Sequence, residues 1–291
     1  MMQSGSPISV GPLSGGQKYF DQIVSDPGVA CSSAEDKITC LRTTPYANLT
    51  AAINKTPSIF DYQSLALAWL PRVDGTFLTD NPVSLVTSGK VANVPLTGDC
   101  QDEGTIFSFS TLNISNDTAF ASWVQNDFIP GLSDADMQSL ALQYPSAPDQ
   151  GSPYGTGISY DLTSQYKRIA SLQGDAVFQA PRRFFLQQRS GQQPSWSFLS
   201  RANYRVFIGA FHGGDLVQAY QGGPLGDYFI DFVNSLDPNG EGRTFWPQYT
   251  VASPTLLVFP IARWKKPSTE LDDYRVAPMT FLTSLASEYP A

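Results

Sequence analysis

Histidine is almost missing from this chain: among 291 residues there is one, His212. Chemistry needing two imidazoles is thereby excluded, and near-neutral proton transfer rests on a single ring. Cysteine is nearly as scarce, and an odd count of three leaves at least one thiol unpaired. Charged residues make up only 15% of the chain, and the balance is acidic, with a net charge of −8. No polybasic strip exists, so nucleic acid and anionic membrane surfaces are poor partners. Apolar runs are short and interrupted, and none approaches the roughly 20 residues of a transmembrane anchor. The opening MMQSGSPISVGPLSGG has neither a basic segment nor a long apolar core, so it does not read as a signal peptide.

What is present suits a stably folded, loop-rich globular protein: 42% hydrophobic and 12% aromatic residues, with 23 glycines and 22 prolines. The length suffices for one large domain or two smaller ones, and no internal repeat or linker stands out. Periodicity predicts helices over 17–24, 34–43, 46–54 and 82–88, and a well-capped one over 133–144. Residues 145–163, rich in Pro, Gly and Ser, read as a surface loop. The longest helical pattern, 164–189, should bend or split at Gly174 and Pro181. Strands are expected over 91–97 and 196–199 and in the Val206–Ile208 run, and a helix over 227–236. The remainder is expected to include a turn at Trp246-Pro247 and a final helix near 279–287. Short apolar strands alternating with helices argue an α/β fold with a parallel sheet.

Two stretches carry candidate chemistry. In RVFIGAFHGGDLVQAY (205–220), His212 sits on a glycine-rich turn after strand-like sequence. As a general base it needs an acceptor on its other ring nitrogen, usually a buried carboxylate. NVPLTGDCQDEGTIF (93–107) supplies Asp99, Asp102 and Glu103 just after a strand, and spacing does not choose among them. Cys31 and Cys40 bracket a short polar loop and could pair, with other partners left open. Sequons at Asn48, Asn54, Asn113 and Asn116 point to an extracellular protein, although Pro57 makes the second a poor acceptor.

VPLTGDCQDEGTIF, FIGAFHGGDLVQAY and MQSGSP together resemble the second half of the type-B carboxylesterase family, α/β-hydrolases that include fungal lipases and cholinesterases. The similarity extends from Met2 through the WPQY turn at 246–249. The Cys31-to-Cys40 spacing, Leu70-Pro71-Arg72, Asp102-Glu103-Gly104-Thr105 and Gln150-Gly151-Ser152-Pro153 are most similar to the secreted fungal branch. The resemblance implies Glu103 as triad acid and His212 as base, in the chain order expected of this fold. It implies a Cys31–Cys40 bridge with Cys100 free, and glycosylation at Asn48 and Asn113. Ile106 and Phe107 would lie beside the acyl pocket, with core packing as the competing reading.

Departures accompany the match. Gly213 follows the histidine where fungal lipases often carry Ser, and Pro181 interrupts a helix usually continuous. No Gly-x-Ser-x-Gly elbow occurs; Ser14, in Gly11-Pro-Leu-Ser-Gly, is one residue out of pattern. Residues 1–291 are therefore expected to be the C-terminal portion of a carboxylesterase domain, inactive alone, with an N-terminal half as partner. The implied substrate is an ester or lipid, the implied location extracellular, and no metal or cofactor is implied. The alternative is a non-catalytic cholinesterase-like adhesion or binding domain.

Overall fold

The alternation of side chains along Trp196–Ser200 and Thr255–Phe259 sorts them onto two faces, and both faces are covered. The computed structural model describes residues 1–262 and 264–291. Its sheet runs in chain order: β1 (Met2–Gln3), β2 (Leu96–Cys100), β3 (Trp196–Ser200), β4 (Thr255–Phe259) and β5 (Ser268–Leu271). The first four strands are parallel, and β5 turns back antiparallel to β4. On one face Leu96, Phe198, Leu257 and Phe259 pack with Leu225, Tyr228, Phe229 and Phe232 of the helix Pro224–Ser235. On the other, Leu199, Leu256 and Val258 meet Leu186 of the helix Ala180–Arg189. β2 and β3 approach closely because Gly98, opposite Phe198, has no Cβ to strike that ring.

Parallel strands need long crossovers, and these carry the helices. A separate apolar cluster joins the helices Asp117–Trp123, Asp134–Gln143, Tyr166–Gly174 and Val276–Glu288 with Phe107. Their starts follow from local chemistry: Ser133 Oγ and Asn116 Oδ1 accept from backbone N–H groups of the first turn, at 3.1 and 2.9 Å. Near the chain start, Ile23 and Val24 of the helix Gln17–Ser25 pack on Cys31, which is disulfide-bonded to Cys40 with Cα atoms 5.8 Å apart. Cys100 is free and buried.

Several expected elements are displaced. The strand expected over 91–97 begins only at Leu96; Pro95 has no N–H to donate, and its carbonyl receives Trp196 N–H at 2.7 Å. Val206–Ile208 form no strand. Arg205 and Gly209 exchange backbone bonds of 2.9 and 2.8 Å, Phe207 takes φ 72°, and Val206 and Phe207 are exposed. The 164–189 pattern is split by a π-helical turn, Asp175–Gln179, and Pro181 falls in the first turn of the next helix, where a missing N–H is tolerated. β4 and β5, for which the sequence reading has no strand, lie between the expected turn at 246–247 and the expected final helix. The 145–163 loop is not wholly at the surface: residues 151–153 are buried, with Ser152 N–H on Lys167 O and Ser171 Oγ.

Candidate active site

Because β1, β2 and β3 are parallel, their C-terminal ends share one edge of the sheet, and three loops leave it side by side. β1 delivers Ser4, β2 delivers Glu103, and the loop after β3 delivers His212. The structure brings the last two together, with His212 Nδ1 2.7 Å from Glu103 Oε2. Glu103 is fully buried, whereas about a third of the His212 side chain remains exposed. The other oxygen of Glu103 accepts Ser4 Oγ–H and Cys100 N–H, each at 2.6 Å. One carboxylate oxygen is thus held by two donors, which leaves the other to the imidazole. Ser4 itself adopts φ 46°, and its N–H is anchored on Gly98 O at 2.9 Å.

Among the described residues only Nδ1 of the imidazole has a protein hydrogen-bond partner, so Nε2 is left for proton transfer. The ring packs against both Phe107 and Phe178, with centroids 5.3 and 5.0 Å away. Burial disfavours its charged form, but the hydrogen bond and charge of Glu103, with Asp215 and Asp99 behind, outweigh that, and its pKa is raised. Asp215 in turn accepts Gln3 Nε2–H at 2.9 Å, which fastens the loop after His212 to β1.

The three acids left undistinguished by spacing have three different environments. Asp99 is a buried ion-pair partner, 3.0 Å from Arg182, and Arg182 also pairs with Asp272 at 3.0 Å. Burial raises the pKa of Asp99 against the pull of Arg182, whose charge is shared with Asp272. Asp102 is also buried but meets only neutral donors: Ser152 Oγ–H, Tyr154 N–H and Ala210 N–H, all at 2.9 Å. Glu103 alone reaches the imidazole.

Phe107 is 2% exposed, touches His212 and stacks on Phe60 and Phe178. Ile106 is half-buried against the helical cluster. Ser4, Cys100 N–H and Phe178 were not anticipated; Ser4 and Phe178 lie 99 and 75 residues from Glu103 in sequence, and only the fold brings them near (103 − 4; 178 − 103). Of the two asparagines expected to carry glycans, Asn113 is exposed with no side-chain hydrogen bond among the described residues, while Asn48 donates its amide to Gly28 O at 2.9 Å.

A buried carboxylate thus fixes an imidazole at the C-terminal edge of a parallel sheet, the edge where open α/β folds place their sites. The chain belongs to the carboxylesterase family, whose model matches residues 1–266. Similar relatives include Lipase 4 of Diutina rugosa, 41% identical over 263 residues, covering 87% of this chain and 47% of that protein. Secreted lipase 1 of Botryotinia fuckeliana is 36% identical, covering 89% and 48%. A secreted triacylglycerol lipase of Gibberella zeae is 33% identical, covering 98% and 50%. The chain therefore spans about half the length of these relatives. In fold it is similar to EstA of Aspergillus niger, with a TM-score of 0.78, 19% identity, and 99% of this chain against 58% of that one. The architecture is that of the α/β-hydrolases. No helix of the described residues is long and apolar enough to cross a membrane.

Proposed function

We propose that this chain supplies the acid and base of a secreted serine carboxylic-ester hydrolase acting on esters or lipids. The observation that carries the reading is the 2.7 Å contact between buried Glu103 and His212 Nδ1, which leaves Nε2 to take a proton. Glu103 holds the ring in the tautomer with the proton on Nδ1 and stabilises the imidazolium once it forms. Nε2 accepts the serine Oγ proton as Oγ attacks the ester carbonyl, then returns it to the leaving alcohol as the C–O bond breaks. A water molecule, deprotonated in the same way, releases the acid. Phe107 gives the acyl chain an apolar wall beside the base, and Ile106 extends it.

The 291 residues contain no Gly-x-Ser-x-Gly elbow, and they span about half the length of the curated relatives they match. On this reading the serine and the oxyanion amides come from an N-terminal half of the same domain, and residues 1–291 are inactive alone. The test is p-nitrophenyl ester hydrolysis by residues 1–291 alone and paired with the N-terminal half of a similar fungal lipase. Turnover is expected only in the pair and should vanish in His212→Ala. Turnover by the chain alone that disappears in His212→Ala would place a nucleophile within these residues. A pair indifferent to His212→Ala would remove the role of the base.

A further inference from the structure

Asp102 precedes the acid by one residue, yet its side chain turns away from the imidazole. Its carboxylate is 1% exposed and has no cation within ion-pair distance among the described residues. A buried carboxylate whose direct partners are all neutral is unusual: burial raises its pKa, and three hydrogen bonds, with the charge of Arg275 farther off, work against that. Those bonds come from two loops. Oδ1 accepts Ser152 Oγ–H and Tyr154 N–H from the 150–156 loop, and Oδ2 accepts Ala210 N–H, two residues before His212. The backbone repeats the connection: Asp102 N–H donates to Ala210 O at 2.9 Å, and Asp102 bridges Phe211. Three residues on, Thr105 Oγ1–H reaches Ile208 O at 2.7 Å as well as Asp102 O at 2.9 Å. Gly209 completes the arrangement. It takes φ 64°, and a Cβ there would strike the Asp102 carboxylate and Pro153.

We infer that Asp102 is a positioning residue for the Glu103–His212 pair, holding the acid loop, the base loop and the 150–156 loop in one register. The inference rests on the proposed acid and base roles of those two residues. It also accounts for the choice of a carboxylate. Three donors converge on two oxygens, so an amide at this place would turn an –NH2 toward at least one N–H or O–H and push a loop away. A shift of the Ala210 backbone carries His212 with it, because only Phe211 lies between.

The single histidine gives this a direct readout. In 15N-labelled chain the only imidazole signals belong to His212, and the proton in the Nδ1–H···Glu103 bond should resonate far downfield. Asp102→Asn should lose that resonance or move it upfield while circular dichroism shows a folded chain. Ser152→Ala, which removes one of two donors on Oδ1, should keep the resonance but speed its exchange with water. Leu257→Ala, a core truncation in β4, should lower stability without moving the resonance. An unchanged resonance in Asp102→Asn overturns the inference. Should that variant not fold, unchanged exchange in Ser152→Ala overturns it. So does an equal displacement by Leu257→Ala, which would make Asp102 a contributor to stability alone. None of these readings depends on ester turnover, so they fail or succeed separately from the proposed function.

Discussion

Replacing Glu103 by Gln probes the acid more selectively than deleting it, because the two side chains share a shape. The carboxylate accepts three hydrogen bonds, from Ser4 Oγ–H, Cys100 N–H and His212 Nδ1–H. An amide has one oxygen. Ser4 and Cys100 converge on the same atom, Oε1, so the amide oxygen is kept there and the –NH2 faces Nδ1. Nδ1 must then accept, and the ring proton moves to Nε2, where a proton acceptor is needed. The equivalent exchange in a serine protease triad lowers kcat by about 10⁴-fold. At 1.36 kcal/mol per decade that is roughly 5.4 kcal/mol of barrier, and a loss of this order is expected in the reconstituted esterase.

The pH dependence follows with a definite sign. His212 is raised above 6.5, with burial opposing and Glu103, Asp215 and Asp99 prevailing. Catalysis needs the neutral ring, so the acid limb of the rate profile should lie above that pH and should move down in Glu103→Gln. For stability, a group raised on folding contributes fully below its unfolded value, and the contribution fades as pH rises through the folded one. Urea midpoints across about pH 5 to 8 should therefore show a His212-dependent decline that Glu103→Gln abolishes. A variant within tenfold of the parent rate, with an unmoved acid limb, would refute the tautomer argument.

Replacing both Cys31 and Cys40 by Ser opens a loop with a sequence separation of 9, and the chain-entropy relation gives a loss of about 2.6 kcal/mol, read as a lower urea midpoint. Arg182→Met leaves Asp99 buried without a cation and Asp272 with Arg183 alone, which should destabilise by about 3–5 kcal/mol or prevent folding; a loss below 1 kcal/mol in calorimetry would contradict it. Expression through a secretory host should place a glycan on Asn113 in preference to Asn48, whose amide is engaged; peptide mass spectrometry decides between them.

The proposed acid and base were singled out by the resemblance of two short stretches, 93–107 and 205–220, to a family, since spacing alone did not choose among the acids. The shape around them was not legible. β2 reads as a poor strand, LTGDC, because Thr97 and Asp99 are polar, and Asp99 is tolerated only through Arg182, 83 residues away. No local pattern announces such a pairing. TLLVF, the run that becomes β4, is short enough that periodicity cannot separate a strand from a buried helical piece. Val206–Ile208 failed for the opposite reason: strand propensity is strong, but among the described residues no strand pairs with it, and Arg205 and Gly209 close a turn around it. Choosing among Asp99, Asp102 and Glu103 required partners from four separate parts of the chain, at Ser4, Ser152, Arg182 and the Ala210–His212 turn.

Surface loops ordinarily absorb insertions and deletions with little harm. The convergence of loops on Asp102 removes much of that freedom here. A residue added between Gly151 and Tyr154, or between Gly209 and His212, would slide a donor past the carboxylate and turn the imidazole with it. Changes of length should be accepted only in the outer spans, 157–163 and 203–207, which carry exposed side chains such as Ile158, Val206 and Phe207. Loop grafting aimed at new substrates therefore has two ready places to act, both outside the segments that Asp102 holds.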